Sequence, residues 1–239
     1  WLGVAAALNQ VDASPASRAA LGIRQMYLQS LECLFALMCA LLQAPRYPLG
    51  WMLSYRNEEL NKCVDSIVRE RQLPVMLHPK RAGLIGVIGF VADQITSIAD
   101  RDRDAACSAN SKAMAHLAHD FMDYWCQAEY NAIKHGLRVR AGGFILSIGK
   151  QPEPGLPAPP DAMRVVGQSD TGSTVYRLEP FDAGSRKQNF RAVAHSLNWD
   201  IESVVARLRF ASIWVSNMKS MLLLLASERK PVTIRLPDL

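Results

Sequence analysis

The chain lacks the short motifs by which many enzymes can be recognised. There is no Gly-x-Ser-x-Gly elbow, no Walker phosphate loop, no kinase signature and no dinucleotide fingerprint. That counts against serine hydrolases, P-loop NTPases, kinases and Rossmann enzymes. Gly83, Gly86 and Gly89 have the wrong spacing for a nucleotide loop, and no Gly-Lys-Ser/Thr follows them. No Cys-x-x-Cys occurs either. The five cysteines, Cys33, Cys39, Cys63, Cys107 and Cys126, are odd in number and widely spaced. Reduced, buried thiols are expected, with no metal and no cofactor. Long apolar runs are also missing. Leu31–Leu42 contains Glu32 and falls short of the roughly 18 residues a membrane span needs. Phe210–Ala226 is interrupted by Asn217 and Lys219. Both read as bundle helices, so no membrane partner is expected. Trp1–Leu8 lacks the basic start of a signal peptide, which gives a cytoplasmic expectation. Trp rather than Met at position 1 is the expected mark of a longer product.

What is present suits a core-forming chain. Of 239 residues, 49% are hydrophobic and 21% charged. The net charge of +5 is uneven: residues 134–239 hold 15 Lys and Arg against 9 Asp and Glu. The basic bias begins at Lys134 and permits nucleic-acid binding without demanding it.

Apolar positions at three-to-four spacing predict a mainly α fold, a multi-helix bundle with a small antiparallel β insertion. A first helix is expected over 14–43, with Ser14 and Pro15 as N-cap and first turn. A second runs from Trp51 or Asn57 to Gln72, and a third over 80–100. Asp100–Asp104 reads as a solvated turn. The longest helix spans 105–135 and is closed by Gly136. Alternation around Ala141-Gly142-Gly143 predicts a hairpin over 137–148. The five prolines of Gln151–Pro160 make a loop, and short strands follow at Met163–Val166 and Thr174–Leu178. Helix resumes over 187–228, with a second start near Asn198-Trp199-Asp200, and Val232–Leu236 is a candidate last strand. The organisation is thus a bundle over 1–136, a β-rich insertion over 137–182, and C-terminal helices with a terminal strand over 183–239.

The long helix carries the distinctive segment Tyr130-Asn131-Ala132-Ile133-Lys134-His135-Gly136. At about 100° per residue, His135 stands where the apolar face meets a polar stripe of Asp120, Tyr124, Asn131 and Lys134. One reading makes His135 a core-edge histidine at a helix C-terminus, where its charge suits the dipole. The other makes its imidazole a general acid or base, with Lys134, Arg138 and Arg140 holding an anion such as phosphate.

A helical bundle ending in polar-x-x-Lys-His-Gly resembles the HEPN superfamily of small helical proteins. Many of these cut RNA with an Arg followed four to six residues later by His. Asn131 and His135 match the family's polar residue and histidine, and Tyr130 stands at the arginine's position. The resemblance implies RNA binding, or metal-independent cleavage through the 2′-hydroxyl. His135 and Asn131 would then be catalytic, Lys134, Arg138 and Arg140 would bind RNA, and Tyr124, Tyr130 and Asp120 would support them. It equally implies a degenerate relative. The alternative is a non-catalytic interaction protein, a homodimer or a subunit of a larger assembly.

Two other groupings read as ordinary surface, and a third cannot share one helix face. His116, His119, Asp120 and Asp123 share a helix side but have no second ligand-bearing helix. Arg191 and His195 lie one helical turn apart. Arg71 and His78 are separated by Pro74.

Overall fold

The structure, a computed structural model, describes residues 14–74, 81–93, 100–136, 138–142, 145–149, 163–168, 171–180 and 190–226. The fold is mainly α with a small antiparallel β insertion. Its helices are α1 (Pro15–Gln43), α2 (Pro48–Ser54), α3 (Asn57–Glu70), α4 (Leu84–Ala92), α5 (Asp100–Met122), α6 (Tyr124–Lys134) and α7 (Ile201–Ala226). Its strands are β1 (Gln72–Pro74), β2 (Arg81–Gly83), β3 (Val139–Ala141), β4 (Ile145–Gly149), β5 (Met163–Gln168), β6 (Gly172–Pro180) and β7 (Phe190–Asn198). The chain divides into two compact units. One comprises residues 1–25 and 128–204, the other 26–127 and 205–239.

The second unit is the helical one. Ser14 caps α1 through Ser17 N–H (3.0 Å), as the sequence predicts. Beyond residue 26, α1 buries Tyr27, Leu31, Leu34, Phe35 and Met38, the i, i+3, i+4 stripe of a core helix. Leu60, Val64 and Ile67 of α3, Leu84, Val87, Ile88 and Val91 of α4, and Met114 and Leu117 of α5 are also buried. Trp214 of α7 has no exposed surface, and its indole N–H donates to Asn110 Oδ1 (3.1 Å). Among the described residues, α1 alone is long and apolar enough to cross a membrane, and 56% of its most apolar window is buried in the fold.

Several expected boundaries shift. The second predicted helix is two, α2 and α3, and Arg71 ends α3 in the left-handed conformation (φ 55°). Arg81–Gly83 is strand β2, antiparallel to β1, so the third helix begins only at Leu84. The Asp100–Asp104 cluster is not a turn but the start of α5. The long helix breaks at Asp123. There the carboxylate accepts the Cys126 N–H (2.8 Å) and caps α6, and the Gln127 side-chain amide takes the Phe121 carbonyl (3.0 Å).

The first unit holds the β insertion. Its three-stranded sheet has the order β3-β6-β7, antiparallel throughout, and β4 pairs with β5 separately. The predicted 137–148 hairpin is therefore absent: β3 pairs with β6 and β4 with β5. The two short strands expected near 163 and 174 are β5 and β6. The helix expected from 187 is instead strand β7 up to Asn198, and α7 starts at Ile201 with Asp200 accepting the Ser203 N–H (2.7 Å). Phe190, Val193 and Leu197 fit helical spacing. Val193, His195 and Leu197 also alternate with exposed Ala194, Ser196 and Asn198, and pairing with β6 selects that second period. The proline-rich loop and the Val232–Leu236 strand lie outside the described residues.

Candidate nucleic-acid interface

α6 is fixed within the first unit by a buried carboxylate. Glu129 has no exposed surface. It accepts from Arg24 Nε (3.0 Å), Ser173 Oγ (2.5 Å) and Trp199 Nε1 (3.0 Å). The Arg24 guanidinium also lies 5.8 Å from the Trp199 ring centroid. One side chain thereby ties α6 to α1, to the central strand β6 and to Trp199, two residues before α7. Buried charges persist only when paired and hydrogen-bonded in this way.

Past this anchor, α6 ends as the sequence predicts. Gly136 takes φ 59° and its N–H bonds Ile133 O (3.1 Å). Asn131 and His135 are both exposed, joined by the backbone bond from His135 N–H to Asn131 O (3.1 Å). The histidine therefore stands in solvent, off the core border expected for it. Among the described residues, no side chain orients its ring. Lys134 places its Nζ 4.0 Å from the Tyr130 ring centroid, a cation–π contact one helical turn long.

The chain then enters β3, and the sheet's pleat sorts its side chains. Val139 pairs with Val175 and Arg140 with Thr174. Tyr176 N–H bonds Arg138 O (2.8 Å), extending the ladder by one pair. Val175 faces His195 on β7, and Tyr176 faces Ala194. Successive side chains take opposite faces. One face carries Ser173, Val175, Glu179, Arg191 and His195. Ser173 and Val175 are buried there, and Glu179 meets His195 (3.3 Å) and Arg191 (3.5 Å). The other face carries Arg138, Arg140, Thr174, Tyr176, Leu178, Ala192, Ala194 and Ser196, none of them buried. On it Thr174 and Ser196 share a hydroxyl contact (3.2 Å). An open depression of about 380 Å³ is lined by Arg138, Tyr176, Arg177, Leu178 and Ala192.

The site residues expected from sequence fall into two sets. Tyr130, Asn131, Lys134, His135, Arg138 and Arg140 occupy one stretch of the first unit. Arg138 follows His135 by three residues, a reach of at most about 10 Å. Asp120 and Tyr124 belong to the second unit. There Asp120 accepts from the Tyr27 hydroxyl and from Arg207 Nη1 (2.5 Å), and Tyr124 is exposed, edge-on to Trp125 (5.1 Å). Sequence reasoning passed over Tyr176 and Glu129. Tyr176 carried a strand signal, but its place beside Arg138 depends on a pairing only the fold supplies. Arg191 and His195 are neighbours through the strand period and a shared glutamate, not through a helical turn. Among the described residues, no group of three or more His, Cys, Asp and Glu side chains is arranged to hold a metal. No family model, no curated protein and no solved structure matches the chain.

Proposed function

We propose that this chain binds single-stranded RNA on the outer face of the β3-β6-β7 sheet. The carrying observation is that Arg138, Arg140 and Tyr176 emerge on one unburied sheet face. Guanidinium groups take phosphate oxygens in pairs of hydrogen bonds, and a tyrosine ring is a platform for an unstacked base. The segment Lys134–Arg140 supplies three cations and no acid. The HEPN-like ending of α6 leads directly into this face and favours RNA over DNA. Binding is better supported than cleavage by an isolated chain, because a catalytic imidazole needs a partner to set its tautomer.

Fluorescence anisotropy with a labelled oligonucleotide tests the reading. Tyr176→Ala loses about 1–3 kcal/mol of binding, on the order of tenfold or more. Arg138→Ala weakens all sequences alike and lowers the salt slope by about 0.7 per lost phosphate contact. Absence of binding at low salt, or full affinity in both variants, ends the proposal. Incubating RNA with wild type and His135→Ala in EDTA checks for cleavage separately.

A second reading, a homodimeric interaction protein, draws on α2. This helix buries none of its residues, and Leu49 and Leu53 are 70% and 80% exposed. A second copy packed on it by two-fold symmetry would cover both leucines. Light scattering of wild type against Leu49→Ser/Leu53→Ser decides: a monomeric wild type removes this reading.

A further inference from the structure

The second unit holds a groove between α5 and α7. Two side-chain bridges span these helices. Trp214 Nε1 donates to Asn110 Oδ1 (3.1 Å), and Arg207 Nη1 donates to Asp120 Oδ2 (2.5 Å). The later residue of α5 meets the earlier residue of α7, so the helices run in opposite directions. Along the groove the lining positions are mostly small or apolar. Ala113, His116 and Leu117 of α5 and Ala206, Arg207 and Phe210 of α7 enclose an open cavity of about 340 Å³. Alanine at both 113 and 206 leaves a gap that larger side chains would close. Leu117 and Phe210 are buried and form its floor. His116, Ala206 and Arg207 are exposed and form its rim.

We propose that this cavity binds a small aromatic carboxylate, its ring on Phe210 and Leu117 and its acid group on Arg207. The volume is at the lower end of the range of small-ligand pockets. The bridges set the length. From Asn110 to Asp120 is about 15 Å along the helix, and from Arg207 to Trp214 about 10 Å. That admits one ring with a short side chain and excludes a long acyl chain. Phe210 favours a ring over an alkyl group, because aromatic pairs gain more than the area they bury. The rim selects the acid. A guanidinium carries five N–H donors. Asp120 and the Tyr27 hydroxyl beside it take fewer than five, so donors remain for a ligand, and 47% of the Arg207 side chain is exposed. Guanidinium–carboxylate bonds are charge-assisted and directional. His116, one turn before Asp120, adds an imidazole N–H at the same rim. None of the six lining residues is acidic. Asp120, next to the cavity, opposes an incoming anion. Its Oδ2 already accepts from Tyr27 and Arg207, so it weakens the ligand's hold without offering a site for a cation.

Equilibrium dialysis of the full chain against cinnamate tests the site. Saturable binding at a single site is expected, with a dissociation constant on the order of a millimolar or below. Cinnamamide has the same ring and no charge, and it should bind about tenfold more weakly. Hexanoate, an acid without a ring, should also bind more weakly than cinnamate. Arg207→Gln should remove the preference for cinnamate over its amide. Ala206→Phe, on the exposed rim, should fill the groove and abolish binding of both while helical circular dichroism stays unchanged. The ligand comparison on wild type requires no variant to fold. Absence of saturable cinnamate binding up to about 10 mM, equal affinity for acid and amide, or tighter binding of hexanoate each overturns the proposal. Unchanged cinnamate binding by folded Ala206→Phe overturns it as well, because the ligand then sits elsewhere.

Discussion

Glu129 is a carboxylate sealed from solvent with three donors converging on it. Its charge is tolerable only because Arg24, itself 8% exposed, brings the opposite one. Removing a single partner strands the other. Glu129→Ala is expected to cost about 3–5 kcal/mol, whereas Arg24→Met with Glu129→Leu costs far less. Urea denaturation of the three proteins measures the difference, and equal losses for single and double variants would contradict the pairing. Tyr27 gives a pH prediction. Burial, reinforced by the neighbouring Asp120 charge and hydrogen bond, raises its phenol far above the ordinary value. The folded chain keeps this proton while the unfolded chain releases it above about pH 10. Stability is therefore complete below that pH and declines as pH rises past it. Urea midpoints between about pH 8 and 11 should fall more steeply for wild type than for Tyr27→Phe, which has no phenol to titrate.

The break between α5 and α6 shows how a local bond overrides a periodic pattern. Apolar spacing runs on through 105–135, and nothing in it marks residue 123. The Asp123 side chain competes by bonding the Cys126 N–H, the alternative that aspartate offers a backbone. Asp123→Ala is expected to cost about 1 kcal/mol as a lost cap. It should raise helical ellipticity as the two helices fuse. An unchanged spectrum and stability would mean that the break has another origin. The same competition explains which elements were legible. α1, with a clear cap and a long apolar stripe, stood out almost to its ends, as did the Gly136 stop. β7 was hidden because alanines at 192 and 194 serve a helix or a strand face equally. β3 was readable as a strand but not its partner, since β6 lies some thirty residues on and no local turn specifies that pairing.

At the scale of the molecule, composition and periodicity were enough for the fold class, because apolar stripes need only one buried face each. They were not enough for the candidate interface. Asn131, Lys134, His135, Arg138 and Arg140 were visible as a polar and basic segment. Tyr176, Leu178 and Ala192 join Arg138 only through strand register, and register is a property of pairing rather than of any segment alone.

The first unit is assembled from pieces distant along the chain, and Arg24 belongs to the short early piece. A continuous reading frame over residues 128–204 therefore encodes the sheet and Glu129 but omits the cation that neutralises it. Such a fragment should be unfolded or aggregate when expressed alone, and adding a peptide of residues 14–25 should raise its soluble yield. A chain built this way resists modular exchange. Excising residues 128–204 by truncation, fusion or recombination separates a buried charge from its counter-charge, so that segment is inherited with its N-terminal helix or not at all.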